Sequence, residues 1–125
     1  MKSDKPAPLI LVVEDDDLTR HFVVELIESF GYPVVAAASG QEAMRVIGQT
    51  PSLALVFTDL GLPGFGGIVL ADMVKQHRPK LKILYTTGGV GINQIKAEAG
   101  ILHGNVLRKP YMPDELRSAI ADQLG

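Results

Sequence analysis

Residues 53–63, LALVFTDLGLP, contain the pattern that decides the fold. The residues Leu53–Thr58 suit a buried strand, a single carboxylate follows at Asp59, and the chain then turns through several glycines and prolines. A short continuous apolar run bounded by turn residues is typical of a strand covered on both faces, which indicates a parallel α/β sheet. Asp59 therefore stands at the carboxyl end of a strand, where open α/β sheets bind ligands. Taken alone, Asp59 is equally well explained as the start of a turn.

Length and composition restrict the classes of protein that the chain can belong to. The 125 residues fit one domain, and we take residues 1–7 as a short polar leader and 8–125 as the domain. With 12 Lys and Arg against 14 Asp and Glu, the formal charge of −2 argues against direct binding of nucleic acid. The absence of cysteine excludes disulfides and thiolate metal sites. No secretion signal or membrane-spanning stretch is visible, so we expect a cytoplasmic protein without membrane contact.

Hydrophobic periodicity predicts five alternating strands and helices. The predicted strands are Leu9–Val13, Val34–Ala38, Leu53–Thr58, Lys82–Thr86 and Val106–Leu107. Apolar residues at helical spacing mark the inward faces of three helices, namely Leu18, Phe22, Leu26, Ile27 and Phe30, which end at Gly31; Leu70, Met73, Val74 and His77; and Leu116, Ala119, Ile120 and Leu124. A capping box at Ser39–Glu42 opens another helix, and a short one is expected around Asn93–Ala99. We therefore predict a single doubly wound α/β domain of flavodoxin-like (βα)5 type, with a parallel sheet of order 2-1-3-4-5.

Chemically active side chains follow four of these strands. The acidic run Glu14–Asp17 follows the first strand, Asp59 the third, Thr86 and Thr87 the fourth, and Lys109 the fifth. Two carboxylates about 4 Å apart repel by roughly 1 kcal/mol in water and about 4 kcal/mol at an effective dielectric near 20, so a cleft holding several needs protons or a cation. Carboxylate oxygens, backbone carbonyls and waters are the ligands that Mg²⁺ prefers in proteins, so Mg²⁺ is the expected cation. A metal ion, a hydroxyl and an ammonium around one carboxylate would stabilise a phosphoryl group at this point. Asp59 would then be the nucleophile that accepts it.

Each of these features, taken singly, also fits a role without phosphoryl chemistry. Acidic residues at a helix start are more often caps than metal ligands, and Lys109 could be a surface charge. A flavodoxin-type cofactor binder shares the predicted fold, but it needs a glycine- and hydroxyl-rich loop where this chain has Glu14–Asp17. A Mg²⁺-dependent phosphohydrolase is also possible, although Gly61 stands where a second carboxylate would complete a D-x-D pair. The joint occurrence of acids, hydroxyl and lysine favours a phosphoacceptor.

Four motifs resemble the receiver (response-regulator) domain family of two-component signalling, over about Pro8 to Leu124. They are LILVVEDD at 9–16, FTDLGLPGFGG at 57–67, ILYTT at 83–87 and RKPY at 108–111. The resemblance implies that Asp59 is the phosphoacceptor and that Mg²⁺ (or Mn²⁺) is bound by Glu14, Asp15 and the Gly61 backbone carbonyl. It also implies that Thr86 is the switch hydroxyl, with Thr87 as the alternative one residue on, and that Lys109 contacts the phosphoryl group.

The resemblance further implies a signalling switch rather than a multiple-turnover enzyme. A sensor histidine kinase or histidine phosphotransfer protein would donate to Asp59, and a downstream protein would bind the face of the fourth helix, fifth strand and fifth helix. Val106 departs from the family, because many members carry Tyr or Phe as a rotating switch three residues before the lysine. A pseudo-receiver that docks without phosphorylation remains the alternative. The residues also leave open a stand-alone protein and a module of a hybrid sensor kinase.

Overall fold

The computed structural model describes residues 7–62, 66–88 and 104–125. Strands and helices alternate along the chain, as β1 (Leu9–Val13), α1 (Asp17–Ser29), β2 (Val34–Ala37), α2 (Gly40–Gln49), β3 (Leu53–Asp59), α3 (Gly67–His77), β4 (Lys82–Thr87), β5 (Val106–Arg108) and α4 (Pro113–Leu124). The doubly wound α/β fold predicted from the sequence is confirmed. The helix predicted around Asn93–Ala99 lies outside the described residues.

The five strands form one parallel sheet of order β2-β1-β3-β4-β5, which confirms the predicted order. Val13 pairs with Thr58, and Asp59 pairs with Thr86. These pairs place the carboxyl ends of β1, β3 and β4 at one edge of the sheet. The acidic turn after β1 therefore adjoins Asp59 because of the strand order, although the two are distant in the chain.

A hydrophobic core covers each face of the sheet. On one face, strand residues that include Leu11, Val56 and Ile83 form a buried cluster with Ile47 of α2 and residues of α3. The opposite cluster joins Ile10, Leu55, Phe57 and Leu84 to Val23 and Ile27 of α1 and to Leu116 and Ile120 of α4. Burying one such side chain contributes roughly 1.5–3 kcal/mol. Both faces are covered, and this explains why the strands read as continuous apolar runs.

The inward face of α1 differs from the sequence prediction. Leu18 and Phe22 are 83% and 61% exposed, whereas Val23 and Ile27 are the buried residues of this helix. Leu18 stands in the first turn of a helix that begins at Asp17, and Phe22 lines an open groove with Pro110 and Tyr111. His77, for which the sequence pattern also predicts an inward position, is exposed because it is the last residue of α3.

The helix boundaries follow local capping signals. The Asp16 side chain accepts a hydrogen bond from the Thr19 backbone N–H at 2.8 Å, and α1 is followed by Gly31 at φ +100°. A positive φ strongly favours glycine, so the predicted stop at Gly31 is confirmed. The predicted N-cap of α2 is confirmed, since Ser39 Oγ accepts from Glu42 N at 3.1 Å, but the Glu42 carboxylate accepts from Ala38 N, one residue before the cap, at 3.1 Å, so the capping box is met only in part.

No helix in the described segments combines the length and the hydrophobicity that a membrane-spanning helix needs.

Candidate functional site

Asp59 is the last residue of β3, and both of its carboxylate oxygens have partners. Oδ1 accepts a hydrogen bond from the Gly61 backbone N–H at 2.7 Å, and Oδ2 lies 2.8 Å from Lys109 Nζ. The buried Thr58 hydroxyl donates to the Asp59 carbonyl at 3.3 Å. With its side chain 15% exposed, Asp59 is held in one orientation while still in reach of solvent.

Lys109 joins two of the predicted acidic residues. It follows β5, its backbone N–H donates to the Thr87 carbonyl at 2.8 Å, and the Lys109–Pro110 peptide is cis. Its Nζ lies 3.4 Å from Glu14 Oε1 as well as 2.8 Å from Asp59 Oδ2. Burial lowers the pKa of Lys109, but the hydrogen bond and charge of Asp59, together with the charge of Glu14, outweigh it and raise the pKa. The ammonium is therefore stabilised as the countercharge of the site.

Glu14 is a buried carboxyl at the end of β1. Its Oε2 accepts a hydrogen bond from the Asp16 backbone N–H at 3.0 Å, and its own N–H donates to the Ala37 carbonyl at 3.1 Å. Burial raises the pKa of Glu14, and the carboxyl groups of Asp15 and Asp59 raise it further against the opposing effects of Asp16 N–H and Lys109. The three carboxyl groups thus interact, and the site has room for more positive charge than Lys109 supplies.

Thr86 places a hydroxyl beside this cluster. It pairs with Asp59 across β3 and β4, and its carbonyl accepts from the Leu60 N–H at 2.9 Å. Its hydroxyl is buried and has no hydrogen-bond partner within the described part of the chain. A cavity of about 10 Å³, lined by Glu14, Thr86 and Lys109 among others, lies at this point. Thr87 is also buried, and strand alternation directs it to the opposite face of the sheet.

Tyr111 belongs to the same site, although the sequence pattern predicted no role for it. Its ring meets that of Phe57 edge-on, with centroids 6.3 Å apart and planes at 69°. Burial raises the pKa of Tyr111. It also lines the small cavity beside Thr86 and an open groove of about 440 Å³ with Phe22 and Pro110. The signal in the sequence was its place directly after the lysine-proline pair.

The donor atoms suit a hard divalent cation, although they do not form a finished cage. Among residues 7–62, 66–88 and 104–125, no three acidic or histidine side chains converge in a metal-binding arrangement. The Lys109 ammonium, which contacts both Glu14 and Asp59, explains this in part. Carboxylate and carbonyl oxygens are the ligands that Mg²⁺ prefers, and Asp15 is exposed beside Glu14. The metal roles of Glu14, Asp15 and Gly61 stay predictions.

Val106 stands three residues before Lys109, at the position where the sequence departs from the family that it resembles. It is partly buried in β5 and pairs with the fully buried Tyr85 of β4. The aliphatic side chain therefore packs beside an aromatic residue of the neighbouring strand.

Comparison with known proteins places this geometry in context. Residues 10–121 match the family model described as the response regulator receiver domain. The chain is 31% identical to the response regulator receiver protein CpdR of Brucella abortus over 115 residues, which cover 92% of this chain and 95% of that protein. It is 24% identical to the sensor protein TorS of Escherichia coli over 92% of this chain, but this covers only 13% of TorS.

A solved structure with the same fold is the response regulator receiver domain protein from Clostridium thermocellum. The two superpose with a TM-score of 0.87 and cover 94% of each other, at 24% sequence identity. At this identity the likeness concerns the fold.

Proposed function

The chain belongs to the response regulator receiver domain family, and on that premise we propose that it is a phosphoacceptor switch whose acceptor is Asp59. The donor would be a phosphohistidine on a sensor histidine kinase or a histidine phosphotransfer protein. The observation that carries the proposal is the position of Lys109 Nζ, 2.8 Å from Asp59 and 3.4 Å from Glu14. One ammonium between carboxylates of two other strands suits a group rich in anionic oxygens, and beside it lies the Thr86 hydroxyl, which has no hydrogen-bond partner among the described residues.

The transfer would proceed by attack of an Asp59 carboxylate oxygen on phosphorus. A phosphorus–oxygen bond forms as the phosphorus–nitrogen bond of the donor breaks, and the electron pair leaves with the imidazole nitrogen, which takes up a proton. The Gly61 N–H and Lys109 Nζ orient the carboxylate before attack. Lys109 and the Thr86 hydroxyl would then contact the phosphoryl oxygens of the product.

A divalent cation would be held by Glu14, Asp15 and the Gly61 carbonyl. When bound, Mg²⁺ or Mn²⁺ supplies positive charge that offsets the phosphoryl oxygens. The buried Glu14 carboxyl and the exposed Asp15 carboxyl provide the oxygen donors that this chemistry needs.

The output would be a change in protein binding. Phosphorylation adds a charge of about −1.5 to −2 next to Lys109, which must then divide its contacts between Asp59 and the new group. We propose that this shifts the face that contains β5, α4 and the predicted helix around Asn93–Ala99, with a coupling of about 1–3 kcal/mol. The partner is a downstream protein, and the switch acts in the cytoplasm without binding nucleic acid and without turnover of an external substrate.

Mapping of the modified residue tests the proposal. The protein is incubated with phosphoramidate and Mg²⁺, and the acyl phosphate is then reduced with borohydride, which converts a phosphorylated aspartate to homoserine. We expect homoserine at Asp59 in the wild type and in Asp72→Asn, which alters an exposed aspartate of α3. Homoserine at Asp15 or Asp16 instead, or none at any aspartate, would contradict the assignment.

A further inference from the structure

Arg20 is the charged residue of α1 that reaches back to the acidic turn. Its Nη1 donates to the Glu14 backbone carbonyl at 3.0 Å, and its Nη2 contacts Asp17 Oδ1 at 2.6 Å. The side chain is only 23% exposed, whereas that of Asp17 is 87% exposed. One planar guanidinium therefore binds the turn at two points, in the fixed geometry that arginine alone among the cationic side chains provides.

The bond to the Glu14 carbonyl has a specific geometric effect. That carbonyl belongs to the peptide that joins Glu14 to Asp15, and the peptide unit is planar. Fixing the carbonyl therefore fixes the plane from which the Asp15 side chain departs. Glu14 is held separately, through Asp16 N–H and Lys109 on its carboxylate. Arg20 thus constrains the direction of the more exposed of the two acids.

We infer that Arg20 is a positioning residue, which orients the Glu14–Asp15 peptide so that both carboxylates face one cation. This inference rests on the proposed function, because it concerns the cation site proposed there. Charge alone argues in the opposite direction, since a guanidinium close to the acids repels a divalent cation. The sign of the effect on metal affinity therefore separates positioning from simple electrostatics.

The test is the affinity of the full chain for Mn²⁺, measured from the electron paramagnetic resonance signal of the free ion. Arg20→Gln removes the charge and the paired donors, and Arg20→Lys keeps the charge but replaces the planar fork with a single ammonium. We expect both variants to bind Mn²⁺ about tenfold more weakly than the wild type, as is usual when a partner that orients metal ligands is lost. Arg45→Gln is the matched control, because Arg45 also pairs with an acid three residues away, Glu42, but on α2. It should leave the affinity unchanged.

Each other result overturns the inference. Tighter Mn²⁺ binding by Arg20→Gln, with Arg20→Lys like the wild type, would mean that the guanidinium acts only as a repelling charge. Unchanged affinity in both variants, or equal weakening in Arg45→Gln, would mean that Arg20 merely supports the helix. In those cases the proposed function still holds, provided that the wild-type protein binds Mn²⁺ and accepts phosphate. Wild-type protein that binds no Mn²⁺ would overturn the proposed cation requirement and the role of Arg20 together.

Discussion

The Glu14 carboxyl illustrates how a single residue can oppose stability while serving a site. Burial raises its pKa above the ordinary value of 4.5, with Asp15 and Asp59 adding to the effect. The folded protein therefore binds the Glu14 proton more tightly than the unfolded chain does. The stability that this group contributes is fully present below pH 4.5 and is lost as the pH rises through the folded-state pKa.

Replacement of Glu14 by glutamine tests this balance. Glu14→Gln keeps an oxygen that can accept from Lys109 or Asp16, and it removes the charge that is penalised above pH 4.5. Without divalent cations, we expect the variant to melt a few degrees higher than the wild type at about pH 7, with the difference shrinking towards about pH 4. Calorimetric melts at both pH values are the measurement. A glutamine variant that melts lower than the wild type at neutral pH would contradict the assigned shift.

Two of the buried threonines near the site, Thr86 and Thr58, carry opposite expectations. The Thr86 hydroxyl has no hydrogen-bond partner among the described residues, whereas the Thr58 hydroxyl donates to the Asp59 carbonyl. An unsatisfied buried polar group costs about 1–3 kcal/mol, and a satisfied one contributes roughly 1 kcal/mol. Thr86→Val should therefore raise the free energy of unfolding, and Thr58→Val should lower it by about 1 kcal/mol. Urea denaturation of both variants checks this, and a loss of stability in Thr86→Val would show that its hydroxyl is satisfied.

At the scale of single elements, the connection between α2 and β3 is held by one side chain. The Arg78 guanidinium follows α3 and donates to four backbone carbonyls, at 2.8–3.4 Å, those of Ile47, Thr50, Pro51 and Leu53. These carbonyls end a helix and begin a strand, and those of Ile47 and Thr50 also accept from the backbone N–H groups of Thr50 and Leu53. Arg78 thus links the end of α3 to the end of α2, at the amino edge of the sheet and opposite Asp59.

Lysine at position 78 should weaken this connection. Arg78→Lys keeps the charge but cannot serve four carbonyls, so we expect a loss of roughly 2 kcal/mol in the free energy of unfolding, measured in urea. Arg45→Lys is the control, because Arg45 pairs with Glu42 at 3.9 Å on the surface. It should change the free energy of unfolding by less than about 0.5 kcal/mol. Mg²⁺ affinity should not change in either variant. Equal stability of Arg78→Lys and the wild type would show that water replaces the guanidinium.

Local pattern predicted the elements better than it predicted their contacts. The strands, the stop at Gly31 and the helix cap at Ser39 depend on neighbours within a few residues, and all are confirmed. Periodicity also gives the apolar stripe of a helix, but it does not say which part of that stripe another element covers, and the prediction for Leu18 and Phe22 was therefore wrong. The four contacts of Arg78 join residues 25–31 positions apart, and no local signal marks them.

At the scale of the whole molecule, strand order assembles the site. Lys109 meets Asp59 across 50 positions and Glu14 across 95, because β1, β3 and β5 end at the same edge of the sheet. The alternation of strands and helices predicted this convergence, since parallel strands bring their carboxyl ends together. The sequence could not predict that Tyr111 would pack edge-on against Phe57, because that contact depends on how α4 approaches β3.

The central claim is that this edge of the sheet accepts a phosphoryl group at Asp59. The measurement that tests it most directly is intact mass after incubation with acetyl phosphate, with and without Mg²⁺, on the wild type and on Asp59→Asn. We predict a gain of one phosphoryl mass in the wild type with Mg²⁺, and no gain without Mg²⁺ or in Asp59→Asn. No gain in a folded wild type that binds Mg²⁺, or an equal gain in Asp59→Asn, would contradict the claim, and the first result would indicate docking without phosphorylation.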